Sequence, residues 1–136
     1  MISFLPYARL VSGMRVFKVS WFTRFAAKEG ISDNELNDIV DNVLETGQAN
    51  AALGGDVYKV RIARTGKGKS GGYRSIVFFR SGTLTFFVYG FAKSNRKNIS
   101  QKELAKFKEA AKDWLSLSDD QLDKLVQTGK YQEIRG

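Results

Sequence analysis

The run Thr83 to Lys93, TLTFFVYGFAK, is apolar at both odd and even positions. A strand with one solvated face alternates, so a strand-like run without alternation belongs inside a sheet. Two further runs, Val57 to Arg64 and Tyr73 to Arg80, are rich in β-branched and aromatic residues and supply its neighbours. Ser81-Gly82 is a short turn signal that predicts an antiparallel hairpin between the second run and the third. In the first run, period two sets Tyr58, Val60 and Ile62 on one face and Lys59, Arg61 and Ala63 on the other. The end of the third run places Tyr89, Phe91 and Lys93 on a common face.

Helical patterns flank this block. Arg15 to Val19 alternates as a short strand, and Trp21 to Glu29 uses Trp21, Phe22, Phe25 and Ala26 as an apolar stripe ending at Gly30. Ser32 with Glu35 opens a second helix as a capping box, and Gly47 stops it. Residues 48–54 are a connector. Ser100 with Glu103 and Ser118 with Gln121 open two more helices, the first with the stripe Leu104, Phe107, Ala111, Trp114 and Leu115. The order of strand, helices, three strands and helices reads as one α+β domain over residues 14–129. Residues 1–13 read as an N-terminal extension and residues 130–136 as a C-terminal tail. The opening residues lack a basic n-region and Arg9 interrupts them, so no signal peptide is expected. No run approaches the roughly 20 apolar residues that span a bilayer, and a cytoplasmic protein without membrane attachment is the expectation.

Charge then narrows the function classes. The net +8 is unevenly spread: residues 1–54 carry five basic and six acidic side chains, residues 101–136 seven of each, and residues 55–100 ten basic and one acidic, Asp56. A basic block between balanced flanks suggests a surface for a polyanion. The chain has no histidine and no cysteine, which removes the usual zinc ligands, the disulfides and the usual general base. A protein without metal or other cofactor is expected.

The glycine-lysine loop between the first two strand runs, GKGKSGG, invites a phosphate-cradle reading. A P-loop needs an earlier glycine where Ala63 stands and a helix after the Lys-Ser pair, and a strand follows instead. The GxxG loop of KH domains joins helices, whereas this loop joins strands. What remains is a hinged loop carrying Lys67 and Lys69, flanked by Arg64 and Arg74, above a floor of Lys59, Arg61, Arg74 and Lys93 if the faces of their strands coincide. Tyr58, Tyr73, Tyr89 and Phe91 are candidates to stack on a base, Tyr89 and Phe91 before the others. Arg96 and Lys97 extend the RNA-facing set.

The run YKVRIARTGKGKSGGYRSIVFF, followed by FFVYGFAKSNRKNIS and an amphipathic helix, resembles the RelE/HigB-type toxins of bacterial type II toxin–antitoxin pairs, in their glycine/lysine-loop subgroup. The resemblance implies an α+β fold of the microbial-ribonuclease type, a small antiparallel sheet with N- and C-terminal helices packed against it. It implies an endoribonuclease that cleaves mRNA in the ribosomal decoding site and a cognate antitoxin, a DNA-binding protein from a neighbouring gene. By the same resemblance Lys59 and Arg61 match the basic positions of the first catalytic-face strand. Arg74 matches the arginine on the scissile phosphate, Lys93 the basic position after the last strand, and Lys67 and Lys69 the loop lysines. Ser94 stands where better-known relatives place an arginine, and their late tyrosine has no counterpart near Ser100.

Cleavage of RNA without metal uses the 2′-OH as nucleophile, with a base, a stabiliser of phosphorane charge and an acid. Arginine stays protonated, so Arg61 and Arg74 stabilise charge. A nearby like charge disfavours the charged form of an amine, which makes Lys59, beside Arg61, the favoured base. Lys93 or Tyr89 is the acid, and Lys67 and Lys69 hold the backbone. A non-catalytic RNA- or ribosome-binding module is the competing class. A DNA-binding regulator is disfavoured because the capped helices are acidic or balanced.

Overall fold

The structure, a computed structural model, describes residues 13–47, 52–63 and 72–135. Its strands are β1 (Arg15–Val19), β2 (Ala52–Gly54), β3 (Val57–Ile62), β4 (Tyr73–Arg80), β5 (Leu84–Ala92) and β6 (Tyr131–Ile134). They form one six-stranded sheet in the order β2-β3-β4-β5-β1-β6. Every pairing is antiparallel except that of β1 with β5, which is parallel. The expected hairpin is present, with β4 against β5 across Ser81-Gly82. Two strands lie where none was expected. Ala52–Gly54, inside the predicted connector, pairs with β3, and Tyr131–Ile134, inside the predicted tail, pairs with β1.

Among the described residues four helices cover the sheet: α1 (Ser20–Glu29), α2 (Asp33–Ile39), α3 (Gln101–Trp114) and α4 (Asp119–Gln127). Helix α1 ends at Gly30, whose φ of 72° is the left-handed cap that glycine adopts without strain. Ser32 caps α2 by accepting from the Glu35 amide, and the helix runs on into one wider turn, Val40–Leu44. Both C-terminal helices carry complete capping boxes, Ser100 with Glu103 and Ser118 with Gln121. No helix among the described residues is long and apolar enough to cross a membrane.

The two sheet faces are packed by different helices. Phe22 of α1 meets Phe87 at 5.5 Å between ring centroids, and Phe25 meets Tyr73 edge-on at 5.5 Å. On the other face Trp114 of α3 sits 5.3 Å from Phe78 and 5.8 Å from Phe86. Phe17, Phe22, Phe78, Phe86 and Phe87 are all fully buried, each contributing roughly 1.5–3 kcal/mol by leaving water. Strand β5 is therefore covered on both sides, as its unbroken apolar run requires. At the far edge Arg15 of β1 donates to Glu133 of β6 at 2.8 and 3.0 Å and to Asp119 and Asp123 of α4 at 3.1 and 2.8 Å. The Glu133 hydrogen bond, foremost among these partners, raises the Arg15 guanidinium further above its ordinary range.

One local irregularity decides which side chains share a face. Val77 pairs with Phe87 and Ile76 with Tyr89, so β5 holds one extra residue, Val88, opposite that step. Strict alternation would put Tyr89 on the same side as Phe87, against α1. The bulge turns Tyr89 and Phe91 to the face of Ile76 and Arg74 instead, where Phe107 of α3 lies 6.1 Å from Tyr89, while Trp21 of α1 reaches Tyr89 from its flank. Next to the bulge, Gly90 lies beneath Phe25: a Cβ added there would stand 2.4 Å from Phe25 Cε2. Gly90→Ala is expected to destabilise the protein by about 1–3 kcal/mol through overpacking. Urea denaturation checks this, and an unchanged midpoint would mean that α1 is not seated on the sheet at Gly90.

Candidate active site

The register of β3, β4 and β5 brings the predicted cations together. Arg61 stands directly opposite Arg74, and Arg74 opposite Phe91. One row along the same face, Lys59 pairs with Ile76 and Ile76 with Tyr89. Two arginines facing each other across a ladder repel, an arrangement that costs stability unless an anion lies between them. Arg61 is exposed, while Arg74 and Lys59 are half-buried, so all three heads sit at the sheet surface with their stems on it. Arg74 Nη1 makes a long 3.4 Å contact to its neighbour's carbonyl, that of Tyr73.

The segment after β5 folds back over this face. Lys59 Nζ donates to Asn98 Oδ1 at 3.3 Å. Arg96 Nη1 donates to the Tyr89 hydroxyl at 3.1 Å and Arg96 Nε to the Asn98 carbonyl at 2.8 Å. The remaining Arg96 nitrogen is bonded to the Glu103 carboxylate. Its guanidinium also lies 5.8 Å from the Tyr89 ring centre and 5.7 Å from that of Phe91. Arg96, expected to face RNA, is thus occupied by four internal partners, counting both rings as one aromatic floor. Phe91 is 5% exposed beneath it, so this ring is packed where a stacking surface was expected.

Other expected residues fall elsewhere. Tyr58 lies on the opposite face, edge-on to Phe79 at 5.7 Å. Tyr73 is buried on that face too and donates to Glu29 at 2.6 Å. Lys93 and Lys97 are exposed in the turn and loop after β5, and the Lys93 amide extends the ladder by donating to the Gly72 carbonyl at 3.2 Å. Arg64, Lys67 and Lys69 lie outside the described residues. Among the described residues no group of three or more acidic side chains is placed to hold a metal ion.

Three contributors were not visible as such in the sequence. Asn98 has no local pattern to mark it. Glu103 shows only as a helix cap. Trp21, 39% exposed, lies 4.5 Å from Tyr89 and stacks on Phe25 at 5.4 Å; helical spacing assigned it to the core stripe.

The segment that folds back after β5, residues 93–99, is a strap across this face, and its electrostatics are concentrated at Glu103 of α3. The Arg96 hydrogen bond, and after it the Ser100 amide, hold its carboxyl down at about 2. Arg96 is raised in turn, chiefly by its bond to Glu103. A depressed carboxyl stabilises the fold above its ordinary range and loses that contribution as pH falls through about 2. An NMR titration of the Glu103 carboxyl should therefore show a midpoint near 2 in the wild type. In Arg96→Ala it should move up toward the ordinary carboxylate range, and an unmoved midpoint would contradict the pairing.

Comparison with known proteins supplies the family. The family model described as the RelE toxin of the RelE/RelB toxin–antitoxin system matches residues 14–134. No curated protein matches. The match runs from just before β1 to the last residue of β6, so it takes in the strand that closes the sheet edge as well as the cationic face. The chain belongs to the RelE toxin family, the toxin half of a toxin–antitoxin pair.

Proposed function

We propose that this toxin is a metal-independent endoribonuclease that cleaves mRNA on the ribosome and so arrests translation and growth. We place it in the HigB-like branch with a glycine/lysine-rich loop. The observation that carries the proposal is the pair Arg61–Arg74, directly opposed on a sheet face that also bears Lys59 and Tyr89 one row away. Like charges opposed across a ladder repel, a phosphate laid across them relieves that repulsion, and charge on that phosphate grows in the transition state. Preorganised cations then favour the transition state over the ground state.

In the proposed reaction Lys59 is the base that takes the proton of the 2′-OH. The 2′-oxygen attacks the adjacent phosphorus, the P–O5′ bond breaks, and a 2′,3′-cyclic phosphate is left on the upstream fragment. Arg61 and Arg74 neutralise the non-bridging oxygens. Tyr89 protonates the departing 5′-oxygen. Its oxygen already accepts a hydrogen bond from Arg96, which leaves the phenolic hydrogen to donate. Lys93, one step beyond the ladder, together with Arg64, Lys67, Lys69 and Lys97 would hold the RNA backbone. Trp21 extends the aromatic edge beside Tyr89.

The family pairs each toxin with an antitoxin. We propose that the antitoxin is a DNA-binding protein from the neighbouring gene and covers this face with an acidic segment. The site of action is then the cytoplasm, where mRNA and ribosomes are.

Arg74→Ala should lower ribosome-dependent cleavage about 10²- to 10³-fold, equivalent to about 2.7–4 kcal/mol of lost charge stabilisation, while the protein stays folded. Full cleavage at equal expression would remove Arg74 from the site. Wild-type protein that binds ribosomes without cutting would replace the enzyme with a binding module on the same fold. Changing Lys67 and Lys69 together to alanine should flatten the salt dependence of RNA binding. An unchanged slope would exclude the loop from backbone contact.

A further inference from the structure

The hydrogen bonds of the strap converge on a residue that no catalytic scheme requires. Glu103 Oε1 accepts from the Ser100 amide at 2.7 Å, which completes the capping box of α3, and the same oxygen accepts from Arg96. From Arg96 the bonds divide. One branch reaches the Tyr89 hydroxyl directly; the other reaches the Asn98 carbonyl, and the Asn98 side chain accepts from Lys59 Nζ. The Asn98 oxygen is itself fixed by the Ile99 amide at 2.9 Å. One carboxylate at a helix N-terminus is thereby connected to both candidate proton-handling groups.

We infer that Glu103 and Arg96 are a positioning pair that sets the orientation of Tyr89 and, through Asn98, of Lys59. The inference rests on the ribonuclease reading for its catalytic consequence, but not for its geometry. Arg96 is suited to this role because a guanidinium presents five donors in a rigid fork and can serve several acceptors at once. Lysine in its place keeps the charge and loses the fork. Without the Glu103 carboxylate the guanidinium has no anchor on α3, and the Tyr89 hydroxyl is free to turn. Misplacement of reacting groups by about 1 Å costs roughly 10²-fold in rate.

The second capping box of this same protein supplies the means of separating a cap from an anchor. Helix α4 is capped by Ser118 with Gln121, whose Oε1 accepts from the Ser118 amide at 2.8 Å. Glutamine at the third helical position therefore completes a capping box here. Glu103→Gln should keep the cap of α3 while withdrawing the charge from Arg96. In the full chain we expect kcat for ribosome-dependent cleavage to fall roughly 10²-fold with KM little changed, and the melting temperature to stay near that of the wild type. Arg96→Lys should give a similar loss, and the double variant no further loss, because the two residues act as one unit. Gln121→Glu is the control and should leave cleavage unchanged.

A readout independent of activity is the Tyr89 ring resonances in a ¹³C-edited NMR spectrum, which should shift in Glu103→Gln and not in Gln121→Glu. Unchanged Tyr89 resonances, or a fall in kcat matched by an equal fraction of unfolded protein, would overturn the positioning role. If the wild type fails to cleave, the ribonuclease reading falls, and the Tyr89 resonances still decide whether the pair orients that ring.

Discussion

The architecture depends on one strand that is buried on both faces and interrupted by one extra residue. Strand β5 holds the parallel partner β1 on one side and the antiparallel partner β4 on the other. Its Phe87 packs on Phe22 of α1 and its Phe86 on Trp114 of α3. The bulge at Val88 then reverses the parity of everything after it. Up to Phe87 the alternation serves packing; from Tyr89 onward it serves the site. Without that residue Tyr89 and Phe91 would stand on the face that carries Phe87, and Arg96 would have no aromatic floor.

The basic middle block divides along the same line. Arg80, at the far end of β4, is tied to Asp56 at 3.2 Å and to the Leu115 carbonyl at 3.2 Å, and so serves the fold. Arg96 is drawn inward by Glu103, Asn98 and Tyr89. Lys59, Arg61 and Arg74 remain on the sheet surface at the opposite end of β4 from Arg80. Counting charges locates a block of 46 residues, the span 55–100, whereas register says which of its members share one face.

Much of this was legible in the sequence because it is local. The apolar run at Leu84–Ala92, the hairpin turn and the Ser100/Glu103 and Ser118/Gln121 boxes each depend on spacings of one to four residues. The alternation that put Lys59 and Arg61 on one face is equally local. The misses are long-range or short. Strands β2 and β6 span three and four residues, too few for a period to show, and exist because a neighbouring strand offers an edge. In the sequence Phe91 stands out by its place at the end of an apolar strand near Lys93, and Arg96 by its charge. Only the fold-back of residues 93–99 shows the one beneath the other, with Glu103 completing the set.

In the proposed reaction this cationic, histidine-free face transfers the phosphoryl group from the 5′-oxygen to the 2′-oxygen without a metal ion. The direct measurement is the chemistry of the cut ends, read by mass spectrometry on mRNA fragments made by the purified toxin on programmed ribosomes. The reaction should be followed over its first minutes, with a brief chelator treatment of the toxin beforehand to strip bound transition metals while leaving ribosomal magnesium in place. The account predicts undiminished cleavage, a 2′,3′-cyclic phosphate or its 2′/3′-phosphate hydrolysis product upstream, and a 5′-hydroxyl downstream. A 3′-hydroxyl with a 5′-phosphate, the ends left when water attacks and the 3′-oxygen departs, would contradict it.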